Sequence, residues 1–154
     1  MAIKPIPEGY HSLTSYLNIK DAASAIEFYK RAFSAKEVGR ITMPDNTIGH
    51  AELEIGDSKI MLAETNAQWG NKDPKELGGS PVCLCLYVAD VDAVFAQALA
   101  AGATVSGDMT VKDQFYGDRS GSLTDPFGHQ WTIMTRKENL SFAEMQARAD
   151  KVFA

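Results

Sequence analysis

The sequence predicts an α+β fold made of two βαβββ units followed by a carboxy-terminal helix. Two observations carry this expectation. First, the same order of strand-like and helix-like segments occurs twice along the chain. Second, the two copies keep a nearly constant offset: Asp21 at the start of the first helical pattern matches Asp90 at the start of the second, 69 residues on, and Leu53 matches Leu123, 70 residues on. One register held through a helix and several strands marks an internal repeat rather than chance likeness.

In the first copy, "YHSLTSYLNI" (10–19) reads as a strand and "DAASAIEFYKRAF" (21–33) as a helix capped by Asp21, with Ala22, Ala25, Ile26, Tyr29 and Phe33 on one face. "EVGRITMP", "IGHAELEIG" and "SKIMLAE" are three strands split by the turns "PDN" and "GD". A polar connector, 65–80, separates the copies. In the second, "PVCLCLYV" is a strand and "DVDAVFAQALAAG" a helix with a glycine stop. "ATVSGDMTV", "SGSLTD" and "HQWTIM" are three more strands. "SFAEMQARADKVF" closes the chain as a helix with Ser141 and Glu144 in capping-box spacing, and with Phe142, Met145, Ala149 and Val152 on one stripe that packs on the domain or on a dimer mate. The organisation expected is one domain, 1–154, with units at 10–64 and 81–136 and a terminal helix at 140–153.

Composition narrows the function classes. The chain has 154 residues, 45% hydrophobic and 23% charged, and a domain of that length buries roughly 70% of its unfolded surface without needing disulfides or a structural metal. The net charge is −5 and the pI about 5.1, with Lys and Arg scattered, which argues against nucleic acid as a partner. No apolar run is long enough for a membrane helix, so a cytoplasmic address is expected. Cys83 and Cys85 alternate with leucines and share a strand face, where neighbouring thiols seldom pair; reduced thiols fit that address.

The strand–Asp–helix segments "YLNIKDAASAIEFYKRAF" and "LYVADVDAVFAQALAAGA", with the "DPFGH" turn before a final strand, resemble the vicinal oxygen chelate superfamily: glyoxalase I, extradiol dioxygenases, fosfomycin-resistance enzymes and bleomycin-binding proteins. The resemblance covers about residues 10–136, and "IGHAELEIGDSKIML" with "DQFYGDRSGSLTDPFGH" is most similar to the PhnB-like branch. It implies the glyoxalase/bleomycin-resistance/dihydroxybiphenyl dioxygenase-like fold, with strands curving into a cleft that binds a small molecule, usually in a homodimer.

The metal-binding members carry one ligand on the first strand and one on the last strand of each unit. Carried over position by position, those sites fall on Thr14, Met61, Cys83 and Thr132. None is His, Glu or Gln, so no metal and no cofactor is expected, and glyoxalase I or extradiol dioxygenase chemistry by the family mechanism is not. Loss of the metal with retention of the cleft is the pattern of the bleomycin-binding type.

If Thr14 faces the cleft, alternation sends Tyr16 there too, with Leu13 and Leu17 against the helix; Cys83, Cys85 and Tyr87 likewise line the cleft while Val82, Leu84, Leu86 and Val88 pack. On "GHAELEI", Ala51, Leu53 and Ile55 take the packed face and His50, Glu52 and Glu54 the other. His50 and Glu52 are the one cluster of catalytic residue types: a base with its orienting partner, two ligands of a displaced metal, or simply the wet face of a strand. Phe115 and Tyr116 are candidates to cover a ligand. Arg119 either faces an anionic group or pairs with a nearby Asp. Trp69 is a lid or a hydrophobic plug, His11 a structural histidine on the parity of Leu13, and His129 a turn-closing residue. Two functions follow: a metal-independent binder of a small, partly aromatic molecule held by Tyr16, Tyr87, Phe115 and Tyr116, or a lyase or isomerase with a displaced site around His50 and Glu52.

Overall fold

The computed structural model describes residues 2–154. The chain divides into two compact units, the first running to Ser80 and the second from Pro81 to Ala154. Each is a mixed sheet with a helix on one face.

In the first unit the elements are β1 (Ser15–Ile19), α1 (Ala22–Phe33), β2 (Lys36–Thr42), β3 (Ile48–Ile55) and β4 (Ser58–Glu64), then a 3-10 turn (Ala67–Trp69) and the short α2 (Pro74–Leu77). The sheet order is β1-β4-β3-β2, with β1 parallel to β4 and the other pairs antiparallel. α1 forms because Asp21 accepts from the Ser24 N–H, and Glu64 accepts the Asp21 and Ala22 N–H groups at 2.9 and 2.8 Å. The last residue of β4 thereby ties the helix start to the sheet. Its buried face carries the five residues that periodicity selects, and Tyr29 stacks on Phe33 at 6.2 Å. Leu17, Ile19, Leu53 and Leu62 complete the core from the sheet. Each such side chain contributes about 1.5–3 kcal/mol on burial.

The second unit repeats the plan: β5 (Cys83–Tyr87), α3 (Val91–Ala101), β6 (Thr104–Val105), β7 (Lys112–Asp113), β8 (Asp118–Thr124), β9 (Gln130–Arg136) and α4 (Phe142–Val152). The order is β5-β9-β8-β6, with β7 also on β8 and β5 parallel to β9. Asp90 and Gly102 cap α3, and the Ser141–Glu144 capping box opens α4. The repeat holds at the level of single rungs: Tyr16, Met61 and Glu52 stand abreast in the first sheet, and Cys85, Thr132 and Ser122 in the second.

Several expectations are corrected. β1 begins at Ser15, its first rung being Ser15 with Ile60; upstream the chain turns, with the Tyr10 N–H donating to Pro7 at 3.1 Å. Leu13 is therefore 90% exposed instead of packing on the helix, and His11 is exposed and outside any strand. Val82 also precedes its strand and is exposed. The stretch 103–111 is not one strand, because Gly107 adopts a positive φ of 58° and breaks the ladder after Val105. The connector holds a turn and a helix, since Asn66 and Asp73 each cap one. No residue of α4 is buried, Phe142 and Val152 being exposed. No helix among the described residues is long and apolar enough to cross a membrane.

Candidate functional site

On the first sheet the face away from α1 carries a continuous chain of polar contacts. Alternation along β3 buries Ala51, Leu53 and Ile55 and turns His50, Glu52 and Glu54 outward. Tyr16 comes from β1, two strands away. Its hydroxyl lies 3.0 Å from His50 Nδ1, and His50 Nε2 lies 3.2 Å from Glu52 Oε1. The other Glu52 oxygen accepts the Tyr10 hydroxyl. An ionised carboxylate only accepts, so in the neutral imidazole Nε2 carries the proton, Nδ1 keeps a lone pair, and the Tyr16 O–H donates to it. Glu52 thus selects a tautomer that offers a base toward an exposed phenol. Tyr16 is 49% exposed, enough for a ligand to reach.

The Tyr10 hydroxyl and then His50 hold the Glu52 carboxyl below its usual range. Tyr10 is pushed up to about 12 by burial and by Glu52. Burial also raises Tyr16. Lys59, over the Tyr10 ring at 5.7 Å and bonded to Glu54 at 2.7 Å, closes the cluster on one side. Tyr10 escaped sequence reading because it lies 42 residues from Glu52 and in no strand; an outward Glu beside a His was the only local sign that a partner was needed.

Glu52 contributes to stability above its ordinary value of 4.5, and this is lost as pH falls through the lower folded value. Tyr10 contributes below its ordinary 10.0, and this is lost as pH rises toward about 12. Tyr10→Phe is therefore expected to move the acid unfolding midpoint to higher pH, to cost about 1 kcal/mol near neutrality, and to remove one late-titrating phenol from an ultraviolet pH titration. A late phenol that persists in the variant would refute the assignment.

On the second sheet the corresponding face presents Cys83, Cys85 and Tyr87 from β5 and Thr132 from β9. Cys83 Sγ is 3.2 Å from Thr132 Oγ1, which is 2.8 Å from Ser122 Oγ. Burial, with Cys83 beside it, raises the Cys85 thiol. Tyr87 donates to the buried Asp118 at 2.8 Å and is raised by that bond. The Tyr116 hydroxyl sits 3.2 Å from that of the buried Ser120. Phe115 is turned edge-on to Phe153 at 5.6 Å and its carbonyl accepts from Arg148, so it packs on the carboxy-terminal segment.

Arg119 does not belong to this face. Odd positions of β8 point to α3, where a side chain at Gly121 would meet Phe95, and Arg119 grips both carboxylate oxygens of Asp92 at 2.8 and 2.9 Å with Asp113 at 3.2 Å. Its charge is spent bracing the helix. Trp69 is not a plug either, being 59% exposed. His129 closes its turn: its N–H donates to Asp125 Oδ1 at 3.0 Å and its carbonyl accepts from the Asp125 N–H at 2.9 Å.

The four positions that the resemblance picks out for metal ligands carry Thr14, just upstream of β1, Met61, Cys83 and Thr132. Three hydroxyl or thioether donors and a thiol engaged with Thr132 do not fit a divalent ion that asks for imidazole or carboxylate. Among the described residues no group of three or more His, Cys, Asp and Glu converges as a metal site.

Two sheet units of this topology, each backed by a helix, with a polar face opposite, define a βαβββ-repeat protein of the glyoxalase type. The model of the Glyoxalase/Bleomycin resistance protein/Dioxygenase superfamily matches residues 10–133, and the chain belongs to that superfamily. The uncharacterized protein Mb0911c of Mycobacterium bovis is 45% identical over 139 residues, covering 88% of this chain and 90% of that protein. The Arabidopsis thaliana protein At5g48480 is 32% identical over 120 residues, covering 73% of this chain and 70% of its own. Its X-ray structure superposes at a TM-score of 0.65 with 26% identity, over 80% of this chain and 98% of that one. The fold is also that of the PhnB protein from Bacillus cereus, with a TM-score of 0.61 and 20% identity over 81% and 99% of the two chains.

Proposed function

We propose that the chain is a small-molecule-binding member of its superfamily that works without the family's metal ion, holding an oxygenated, partly aromatic molecule on the open face of the first sheet. The observation that carries this reading is the donor chemistry: the positions expected for the metal ligands hold Thr14, Met61, Cys83 and Thr132, while the open face of the first sheet keeps an exposed Tyr16 backed by His50 and Glu52. The phenol supplies a ring edge and a hydrogen-bonding oxygen, which suits a ligand bearing both. A cytoplasmic address is supported by the free thiols Cys83 and Cys85. A homodimer is supported by Val38 and Ile41, exposed on the edge strand β2.

A second reading rests on the direction of the hydrogen bonds. When a ligand oxygen draws off the Tyr16 hydroxyl, His50 Nδ1 is left with an unused lone pair on a ring that Glu52 holds in place through Nε2, the arrangement a lyase or isomerase needs for proton transfer.

Protein purified without chelator and assayed for metals is expected to carry well below one transition-metal ion per chain. A stoichiometric metal that survives dialysis would overturn the metal-independent reading.

A further inference from the structure

The first unit contains a cavity that the Tyr16–His50–Glu52 chain does not line. Its volume is about 480 Å³, within the range of small-molecule sites, roughly 300–1,000 Å³. It lies between the β2–β3 hairpin and the segment leaving β4, with Trp69 among its lining residues.

Local sequence explains how it forms. The β2–β3 ladder slips between the rungs Ile41–His50 and Thr42–Ile48, leaving Gly49 as an extra residue on β3. A Cβ at Gly49 would fall 2.5 Å from Met43 Sδ, so glycine there lets Met43 fold in beside Ile48, which is 2% exposed. On the other wall Asn66 accepts from the Gln68 N–H at 2.8 Å, and its own N–H donates to Asn71 at 2.7 Å. These bonds fix the turn that carries Trp69, and a tryptophan held in place yet left 59% exposed offers an indole face to a partner.

The charge around the cavity is of one sign. Asp45 and Glu64 line it, and none of the eleven lining residues is Lys, Arg or His. The Thr47 hydroxyl and N–H hold the Asp45 carboxyl below its usual range, and the Glu64 carboxylate accepts the Asp21 and Ala22 N–H groups. Such a field repels anions, while the face of an indole attracts cations.

We propose that this cavity binds a small planar aromatic cation, stacked on Trp69 and retained by the field of Asp45 and Glu64. Apolar side chains, Met43 and Ile48, take the ring, and the carboxylates hold the charge without leaving their own hydrogen bonds. The site shares no residue with the open-face chain, so it stands or falls independently of the function proposed above.

The test is calorimetric titration with N-methylquinolinium, paired with the anion 2-naphthoate of similar size. The chain has two tryptophans, and the other, Trp131, is 3% exposed, so changes in emission report Trp69. Saturable binding of the cation is expected, at least tenfold tighter than 2-naphthoate at low salt and weaker as salt rises. Trp69→Ala is expected to lower the affinity tenfold or more with an unchanged melting curve, Trp69→Phe to retain most of it, and Asp45→Asn to narrow the preference over 2-naphthoate about threefold. Absence of saturable binding, equal affinity for the anion, or an affinity unaffected by Trp69→Ala would each overturn the proposal.

Discussion

Asp125→Ala is expected to lower the stability of the protein by about 3–4 kcal/mol, from the loss of three hydrogen bonds at a buried site. Asp125 is 3% exposed. One of its oxygens accepts the Phe127 and His129 N–H groups at 2.9 and 3.0 Å; the other accepts the Trp131 indole N–H at 3.0 Å. Alanine leaves two backbone donors and one indole donor without that acceptor, and the indole belongs to a side chain that is itself 3% exposed. Pro126 and Gly128, whose φ is 93°, already supply the dihedrals of the turn, so the carboxylate acts by joining the turn to the core rather than by bending the chain. Asparagine keeps an oxygen for the two backbone donors but presents an amide donor to the indole N–H, and about half the loss is expected. In urea titrations the midpoint should fall with an unchanged slope, and the melting temperature should drop by roughly 6–15 °C for a domain of this size. A loss under 1 kcal/mol for Asp125→Ala would sink this account of the turn.

The same turn shows what sequence can and cannot reveal. That "DPFGH" reverses the chain is written in Pro126 and Gly128, and that His129 closes the turn follows from its place before the strand. That Asp125 reaches an indole six residues on depends on β9 turning Trp131 inward, a fact of packing. The repeat was legible because helix caps and strand alternation are local: Asp21 and Asp90 open α1 and α3, and the abreast triplets Tyr16–Met61–Glu52 and Cys85–Thr132–Ser122 follow the offset read from the letters. Strand ends were not legible, because a strand lasts only as long as its neighbour offers rungs. Leu13 and Val82 look like strand residues by type and fail on that ground. Of the two readings of Arg119 the pairing with an Asp holds, because β8 begins at Asp118 rather than Ser120 and Asp92 waits on α3.

Of the open-face chain, alternation along β3 gave His50 and Glu52 a common face, but the order Tyr16–His50–Glu52–Tyr10 rests on β4 lying between β1 and β3. That sheet order brings residue 16 within 3.0 Å of residue 50. A hydroxyl two strands away is invisible to periodicity. Its presence raises the cluster from two polar neighbours to a directed relay.

The relay gives the largest functional effects expected of single substitutions. With 2-hydroxyacetophenone as a probe bearing a ring, two oxygens and an acidic C–H, His50→Ala is expected to weaken binding about tenfold, roughly 1.4 kcal/mol, because Tyr16 loses the acceptor that orients its hydroxyl. Stability should change by under about 1 kcal/mol, since the His50 side chain is 29% exposed. Glu52→Gln is the sharper variant. A glutamine amide can donate to Nε2, which transfers the imidazole proton to Nδ1 and leaves Tyr16 facing a donor; nitrogen-15 shifts of the imidazole should report the exchanged tautomer. Exchange of the probe's α-protons in deuterated water then separates the two functional readings. A pure binder shows no exchange above buffer, whereas a proton-transfer enzyme shows exchange that falls 10²–10⁴-fold in both variants, the usual contribution of a general base. Probe affinity unchanged in His50→Ala would remove the cluster from either function, because no other imidazole lies on that face of the sheet.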